Sequence, residues 1–146
     1  MYDHILLPYD GSKEARKGAE HGIDLAAAVG ATVHALYVID LPGAPRTAYV
    51  RDDEEEMREE YREYGEEVTA EVCEMAAEAG VECETAIRSG TPAEEIVDYA
   101  EDEGMGAIVI GSAYRGRFRA LLGSTADKVV RTSSVPVITT RTEMNE

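Results

Sequence analysis

The sequence predicts an α/β fold in which a parallel sheet is wrapped by helices on both faces. Short apolar runs rich in β-branched residues alternate with longer segments whose apolar residues recur every three or four positions. Glycines and helix-capping residues separate most of these segments. The resulting order, β-α-β-α-β-α-β-α-β, is typical of parallel strands joined by crossover helices. The length of 146 residues predicts a single domain over residues 1–146.

The first part of the chain predicts two strands with a helix between them. Residues 5–9 are apolar and indicate a buried first strand. Small and apolar residues at helical spacing follow an N-cap at Ser12, and Gly30 ends that helix. Residues 32–39 are rich in β-branched and aromatic side chains and predict the second strand, with Asp40 at its carboxyl end.

A long helix is predicted next, beginning at about Asp52 and ending at Gly80. Apolar residues step along it by three or four positions, and we expect this stripe to pack against the core rather than to bind a cofactor. The acids on its other face are expected to be exposed to solvent. The stripe comprises Met57, Tyr61, Tyr64, Val68, Val72, Met75, Ala76 and Ala79.

Residues 81–88 predict the third strand, and a strong helix start follows it. Thr91 is placed as an N-cap, Pro92 at the first helical position and Glu94 as the acid of a capping box. The predicted buried face of this helix consists of Ala93, Ile96, Val97 and Ala100.

The last part of the chain predicts a strand, a glycine-containing loop, a helix and an edge strand. Residues 107–110 are apolar and indicate the buried strand. The loop begins at Gly111 and ends at Gly123, and the helix begins at Ser124. Pro136 lies inside the last predicted strand, residues 135–140, and favours an edge position because proline donates no backbone hydrogen bond.

This strand, glycine loop and helix start form an arrangement suited to binding phosphate. Glycines let backbone N–H groups approach an anion, and a helix N-terminus adds unpaired donors and a positive dipole. Residues 111–131 contain five basic side chains against one acid, Asp127, in a chain whose net charge is −16. A basic segment in an otherwise acidic chain attracts anionic ligands. The alternative to a phosphate site is that Ser124 is only an N-cap and that Asp127 completes a capping box.

Composition excludes several classes of function. The 30 acidic residues outnumber the 14 basic ones, which argues against nucleic acid or an anionic membrane as a general partner.

No apolar run is long enough to span a bilayer, and the first residues lack the basic segment of a signal peptide, so we expect a cytoplasmic protein. The acidic, lysine-poor composition suggests a halophilic source. The two cysteines, Cys73 and Cys83, are expected to be buried free thiols.

Several of these segments together resemble the universal stress protein (UspA) family. The matching segments are ILLPYDGS at residues 5–12, VID at 38–40, GTP at 90–92, and GSTADKVVR at 123–131 followed by VPV at 135–137. Their order and spacing cover nearly the whole chain. The resemblance implies a Rossmann-like three-layer sandwich with a five-stranded parallel sheet in the order 3-2-1-4-5. It also implies a homodimer formed by pairing of the last strands, residues 135–140.

One branch of that family binds ATP, and the resemblance implies where the nucleoside would lie. Pro8, Tyr9 and Asp10 would line it, with Asp10 at the ribose hydroxyls. The backbone of Val38 would meet the adenine edge. From its local sequence alone, Asp10 is equally well explained as a turn acid, and for Asp40 a turn acid is the better explanation.

The same resemblance implies the phosphate site and exposes a departure from the family pattern. Gly111 would underlie the ribose and α-phosphate, and Gly123, Ser124 and Thr125 would bind the phosphates with N–H and hydroxyl groups. The ATP-binding pattern has a middle glycine three residues after the first, but Tyr114 stands there in this chain, so the middle glycine is missing or displaced to Gly116. Eleven residues separate the outer glycines, where the pattern has twelve. Arg115, Arg117 and Arg119 are candidates to contact the phosphates instead.

Three functions follow from these observations. The first is a stress-response regulatory homodimer that binds ATP, with Mg²⁺ held through the phosphates, and hydrolyses it slowly or not at all. The second is a dimeric interaction module of the same fold that does not bind nucleotide, which the altered loop favours. The third is a phosphoryl-transfer or adenylyl-transfer enzyme, for which the sequence offers no evident base or metal cluster. His4 and His34 fall in or beside strands and are expected to be structural.

Overall fold

The structure is a computed structural model that describes residues 2–40, 52–114 and 122–143, and the side chains of residues 52–54 are not included. The strands are β1 (His4–Pro8), β2 (Thr32–Ile39), β3 (Cys83–Ser89), β4 (Ala107–Tyr114) and β5 (Val137–Glu143). The helices are α1 (Lys13–Val29), α2 (Asp52–Glu78), α3 (Pro92–Asp102) and α4 (Ser124–Thr132).

All strand pairs are parallel, and the sheet order is β3-β2-β1-β4-β5. This confirms the predicted fold and places β5 at an edge. Pro136 lies just before β5 rather than inside it, and its carbonyl accepts a hydrogen bond from the Ile108 N–H at 2.9 Å.

Two apolar layers enclose the sheet. Helices α1 and α2 cover one face, where Ile23 and Val72 belong to the same core cluster as Leu7 of the central strand. Helices α3 and α4 cover the other face, where Ile96 and Val129 belong to the cluster around Leu6 and Ile108. The predicted buried face of α3 is confirmed: Ala93, Ile96, Val97 and Ala100 are all buried.

The helix ends follow the sequence in part. The Ser12 hydroxyl caps α1 by accepting from the Ala15 N–H at 3.2 Å, and Gly30 ends that helix with a φ of 74°. Both features were predicted. Thr91 occupies the N-cap of α3 with Pro92 behind it, but its side chain makes no capping hydrogen bond. The predicted capping box of Thr91 and Glu94 is therefore wrong in one respect, because it requires the Thr91 hydroxyl to accept a hydrogen bond from a backbone N–H.

The stripe on α2 is buried only in its second half. Val68, Val72 and Ala76 lie in the core, whereas Met57 is 44% exposed and Tyr61 is 37% exposed. A helix of 27 residues is about 40 Å long, and an eight-residue strand is about 27 Å long. The helix therefore extends past the sheet, and its first turns have no sheet residues to cover. Tyr64 is 42% exposed and Ala79 is also exposed, so the predicted burial of these members is wrong.

The two cysteines form a disulfide, which overturns the prediction of free thiols. Cys73 of α2 and Cys83 at the start of β3 have Cα atoms 5.2 Å apart. The pairing exists because α2 packs directly on β3, a contact that the linear sequence does not reveal. Within the described residues, no helix is long and apolar enough to cross a membrane.

Candidate functional site

A cleft of about 440 Å³ lies at the carboxyl ends of the central strands. Its position follows from the topology. From β1 the chain continues to β2 and β3 on one side and later to β4 and β5 on the other, so the strand order reverses between β1 and β4. In open parallel sheets, ligands bind at such a reversal. The lining includes Pro8, Tyr9, Asp10, Ser12, Glu14, Ala15, Leu36, Tyr37, Val38, Asp40, Pro92, Ile96, Ile110, Gly111, Ser112, Ala113, Gly123, Ser124, Thr125 and Ala126.

The turn after β1 is held by both backbone and side-chain hydrogen bonds. The Tyr9 N–H donates to the Leu36 carbonyl at 2.8 Å, which ties this turn to β2. One carboxylate oxygen of Asp10, Oδ1, accepts from the Ser12 N–H at 2.9 Å. Asp10 is therefore a turn acid that also lines the cleft, so its two interpretations from the sequence are compatible. Tyr64 of α2 donates its hydroxyl hydrogen to the Asp10 carbonyl at 2.9 Å.

Two tyrosines form the wall of the cleft nearest α2, and both remain neutral phenols at ordinary pH. Burial, followed by the neighbouring Glu71 carboxylate, raises the pKa of Tyr9. Burial also raises the pKa of Tyr37, whose ring packs edge-on against Tyr64 with the centroids 5.6 Å apart. Neutral aromatic side chains at the edge of a cleft suit a flat, uncharged heterocycle better than a charged part of a ligand.

Gly111 sits where α1 crosses β4, and its first requirement is packing. A Cβ at this position would collide with the Glu14 carbonyl at the first turn of α1. The approach is reciprocal, since a Cβ on Gly18 would lie 2.7 Å from the Gly111 nitrogen. The glycine thus brings the start of α1 against the strand and forms part of the cleft floor.

The N-terminus of α4 lines the cleft, and no side chain of the described residues caps it. Gly123 is the N-cap residue, and Ser124 is already the first residue of the helix. The alternative in which Ser124 is only the N-cap and Asp127 completes a capping box is therefore wrong, since no side-chain hydrogen bond of the described residues caps this helix. Asp127 instead pairs with Arg131 at 3.2 Å. A glycine cap supplies no side-chain acceptor for the first N–H groups of the helix.

Ser112 fixes the turn that leads into α4. Its hydroxyl accepts from the Gly123 N–H at 2.7 Å, and it is only 3% exposed. A Cβ on Gly123 would lie 3.3 Å from that hydroxyl oxygen, although the φ of −58° is open to any residue. Glycine at this position therefore serves close approach rather than an unusual backbone conformation. Ser112 was not among the predicted site residues, because a serine after a strand glycine carries no distinct sequence signal.

The structure brings eight of the predicted site residues to this one cleft. Arg115, Arg117 and Arg119, together with Gly116, lie outside the described residues. Asp40 is exposed and lines the cleft as well. The eight residues are Pro8, Tyr9, Asp10, Val38, Gly111, Gly123, Ser124 and Thr125.

Tyr114 lies in a different place from the one that the sequence suggested. Strand β4 continues through Tyr114, which pairs in register with Glu143 of β5, whereas a loop was expected from residue 111. The strand is longer because β5 itself extends to residue 143 and offers a partner along its whole length. Tyr114 is not among the residues that line the cleft.

The fold and the cleft define a class: doubly wound, Rossmann-like α/β proteins with a ligand cleft at the strand switch point. The model of the universal stress protein family matches residues 1–141. This chain therefore belongs to the universal stress protein family.

Relatives and solved structures agree with that assignment. The chain is 34% identical to universal stress protein MJ0531 of Methanocaldococcus jannaschii over an alignment of 148 positions, covering 100% of this chain and 86% of the relative. Its fold matches UspA from Lactobacillus plantarum with a TM-score of 0.83 and 26% identity, covering 96% and 98% of the two chains. A universal stress protein from Archaeoglobus fulgidus, solved in complex with dAMP, matches with a TM-score of 0.62 and 25% identity over 94% and 97%.

Proposed function

We propose that this chain binds ATP in the cleft between the ends of β1 and β4 and acts as a regulatory protein of the stress response. The observation that carries the proposal is the N-terminus of α4, which lies on the cleft at the strand switch point and has no side-chain cap among the described residues. A helix start of this kind offers backbone N–H donors to an anion. The A. fulgidus relative in complex with dAMP supports an adenine nucleotide as the ligand class.

The nucleoside would occupy the part of the cleft lined by β1 and β2. Pro8 and Tyr9 offer apolar surface, and the end of β2 at Val38 offers backbone groups to the adenine edge. Asp10 would accept from the ribose hydroxyls. Asp10 and Asp40 are carboxylates on the lining, which fit Mg²⁺ carried by the phosphates.

The phosphates would lie against the turn into α4. Gly123, Ser124 and Thr125 offer backbone N–H and hydroxyl donors there, and Gly111 leaves room at the floor. We include Arg115 and Arg117 in the proposed site as charge partners of the phosphates.

We propose that hydrolysis is slow or does not occur. None of the three histidines lines the cleft, since His4 and His34 lie toward the opposite ends of their strands and His21 is exposed on α1. A chromatographic assay that follows ATP over hours should find most of it intact.

The oligomeric state and the cellular environment are also part of the proposed function. We propose a homodimer through the edge strand β5, in a cytoplasm whose salt screens the acidic surface. For the salt, thermal melts in low and high potassium chloride should show greater stability at high salt. Equal stability in both would contradict the halophilic part of the proposal.

A charge placed at the start of α4 tests the binding site. Ser124 is exposed at the first helical position, so Ser124→Gln and Ser124→Glu should both fold. An acid there favours the helix by about 0.3–1 kcal/mol but repels phosphate. At 100 times the wild-type dissociation constant, MgATP should stabilise the wild type by about 2.7 kcal/mol in thermal melts. The Gln variant loses the Ser124 hydroxyl but keeps the backbone N–H donors and adds no charge, so it should keep most of that shift.

The Ser124→Glu variant should melt normally without nucleotide and lose most of the shift with it. An equal shift in both variants would place the phosphates elsewhere. No shift in the wild type, with no nucleotide co-purifying, would favour an interaction module without nucleotide.

A further inference from the structure

Two histidines and a glutamate converge at the end of the sheet opposite the cleft. His4 begins β1, His34 lies in β2, and Glu84 is the register partner of His34 on β3. Strand alternation places all three on the face covered by α3, because His4 is two residues from Leu6, which is the register partner of His34.

The polar atoms of this trio lie close to one another. The His4 Nδ1 and His34 Nε2 atoms are 3.0 Å apart, and a Glu84 carboxylate oxygen, Oε2, lies 3.4 Å from the same His34 nitrogen. One nitrogen or oxygen from each residue lies within 4.8 Å of those of the other two. Ligands of a tetrahedral zinc ion with bonds of about 2.0–2.2 Å are separated by about 3.3–3.5 Å. The two distances to the His34 nitrogen, 3.0 and 3.4 Å, are therefore close to the separation of ligands in a coordination shell.

A fourth residue sets the orientation of the buried imidazole. The His34 ring is 5% exposed, and its other nitrogen, Nδ1, lies 2.8 Å from the Tyr99 hydroxyl of α3. When Nδ1–H donates to Tyr99, His34 Nε2 is an acceptor, and the His4 Nδ1–H can donate to it at 3.0 Å, while the Glu84 carboxylate at 3.4 Å also only accepts. A cation in place of that proton would be held by both imidazoles and the carboxylate, and an oriented second nitrogen is the usual support of a metal-binding histidine.

Access and local charge also suit a cation. The Glu84 side chain is 63% exposed, so solvent reaches the trio and can supply a further ligand. Arg88 is a cation close to these residues. Its guanidinium stacks on Tyr99, 4.9 Å from the ring centroid, and pairs with Asp102 at 3.4 Å, so its charge is balanced by a carboxylate outside the trio.

We propose that His4, His34 and Glu84 form a binding site for a divalent transition-metal ion of the zinc class, with water completing the coordination. Two imidazole nitrogens and one carboxylate oxygen match the preferences of such ions. The site lies at the amino ends of the strands, away from the nucleotide cleft, and is independent of the proposed function.

The test is a Zn²⁺ titration of metal-stripped, non-reduced protein without nucleotide, followed by competition with a chromophoric chelator. The wild type should bind one Zn²⁺ per chain, and the metal should raise the melting temperature. His4→Ala and Glu84→Gln should each weaken binding at least tenfold and lose that rise. His21→Ala and Glu78→Gln remove an exposed imidazole and an exposed carboxylate elsewhere and should bind like the wild type.

The proposal fails if the folded wild type binds no Zn²⁺ at 100-fold excess. It also fails if His4→Ala and Glu84→Gln keep wild-type affinity, or if the two control variants lose it equally. A Co²⁺ titration gives a second readout, because bound Co²⁺ should show visible absorption bands that both site variants lack.

Discussion

At the scale of single residues, two glycines of the candidate phosphate region have unequal requirements. A Cβ on Gly111 would overlap the backbone of α1, whereas a Cβ on Gly123 would meet only the Ser112 hydroxyl oxygen, at 3.3 Å. We expect Gly111→Ala to lower the free energy of unfolding by about 1–3 kcal/mol or more, because backbone must move to admit the methyl group. Gly123→Ala should cost well under that. Urea unfolding of the two variants checks this order, and a reversed order would contradict the packing assigned to Gly111.

The buried phenol of Tyr9 predicts a loss of stability in alkali. Burial raises its pKa above the usual value of 10.0, so above about pH 10 the unfolded chain releases this proton while the folded chain retains it. The unfolded state then binds fewer protons, and the free energy of unfolding falls as pH rises. Urea titrations between pH 9 and 11 should show a shallower fall for Tyr9→Phe than for the wild type. Parallel curves would show that Tyr9 does not contribute.

At the scale of elements, the disulfide joins α2 to β3 across ten positions of sequence. Closing a loop of this length stabilises a fold by about 2–3 kcal/mol through the entropy of the unfolded chain. Reduction, or the Cys73→Ser and Cys83→Ser double variant, should lower the free energy of unfolding by that amount. Intact mass spectrometry with thiol labelling checks the bond itself, and two labelled cysteines in the native, non-reduced protein would contradict it.

Helix and strand ends show what the sequence could and could not predict. Ser12 and Gly30 were predictable because each acts within its own turn of backbone. The exposure of Met57 was not, because periodicity reports which face of a helix is apolar but not where its partner sheet ends. The extension of β4 through Tyr114 depends on its neighbour β5, and the Cys73–Cys83 bond depends on two elements packing together.

The residues of the candidate site also fall into those that the sequence predicts and those that it does not. Pro8 ends a recognisable strand, and Tyr9 and Asp10 follow it. The strand switch point brings these three residues to the glycines near α4. The roles of Ser112 and Tyr64 in the site could not be predicted, because each depends on a hydrogen bond to a residue distant in sequence, Gly123 and Asp10 respectively.

At the scale of the whole molecule, the proposed dimer makes a prediction about one edge of the sheet. The Ile108 N–H donates to the Pro136 carbonyl, so the parallel ladder directs the N–H groups of Ile138 and Thr140 toward β4 and that of Thr139 outward. Thr139→Pro should therefore keep the β4 pairing and the fold but remove an outward donor from the dimer edge. Light scattering with size-exclusion chromatography should show a dimer for the wild type and a shift toward monomer for the variant.

A wild-type monomer would contradict the proposed assembly. A variant that stays fully dimeric would show that the dimer forms through another surface. Circular dichroism melts of both proteins establish that the variant is folded before its mass is compared.

The most direct test of nucleotide binding at the α4 end of the cleft is an amide nuclear magnetic resonance titration of ¹⁵N-labelled protein with MgATP. The account predicts saturable shifts, at one nucleotide per chain, for Gly111, Ser124 and Thr125, which line the cleft. The amide chemical shifts of His4 and Glu84, at the opposite end of the sheet, should not change. Absence of shifts at the α4 turn under saturating MgATP, or shifts concentrated at the opposite end, would contradict it.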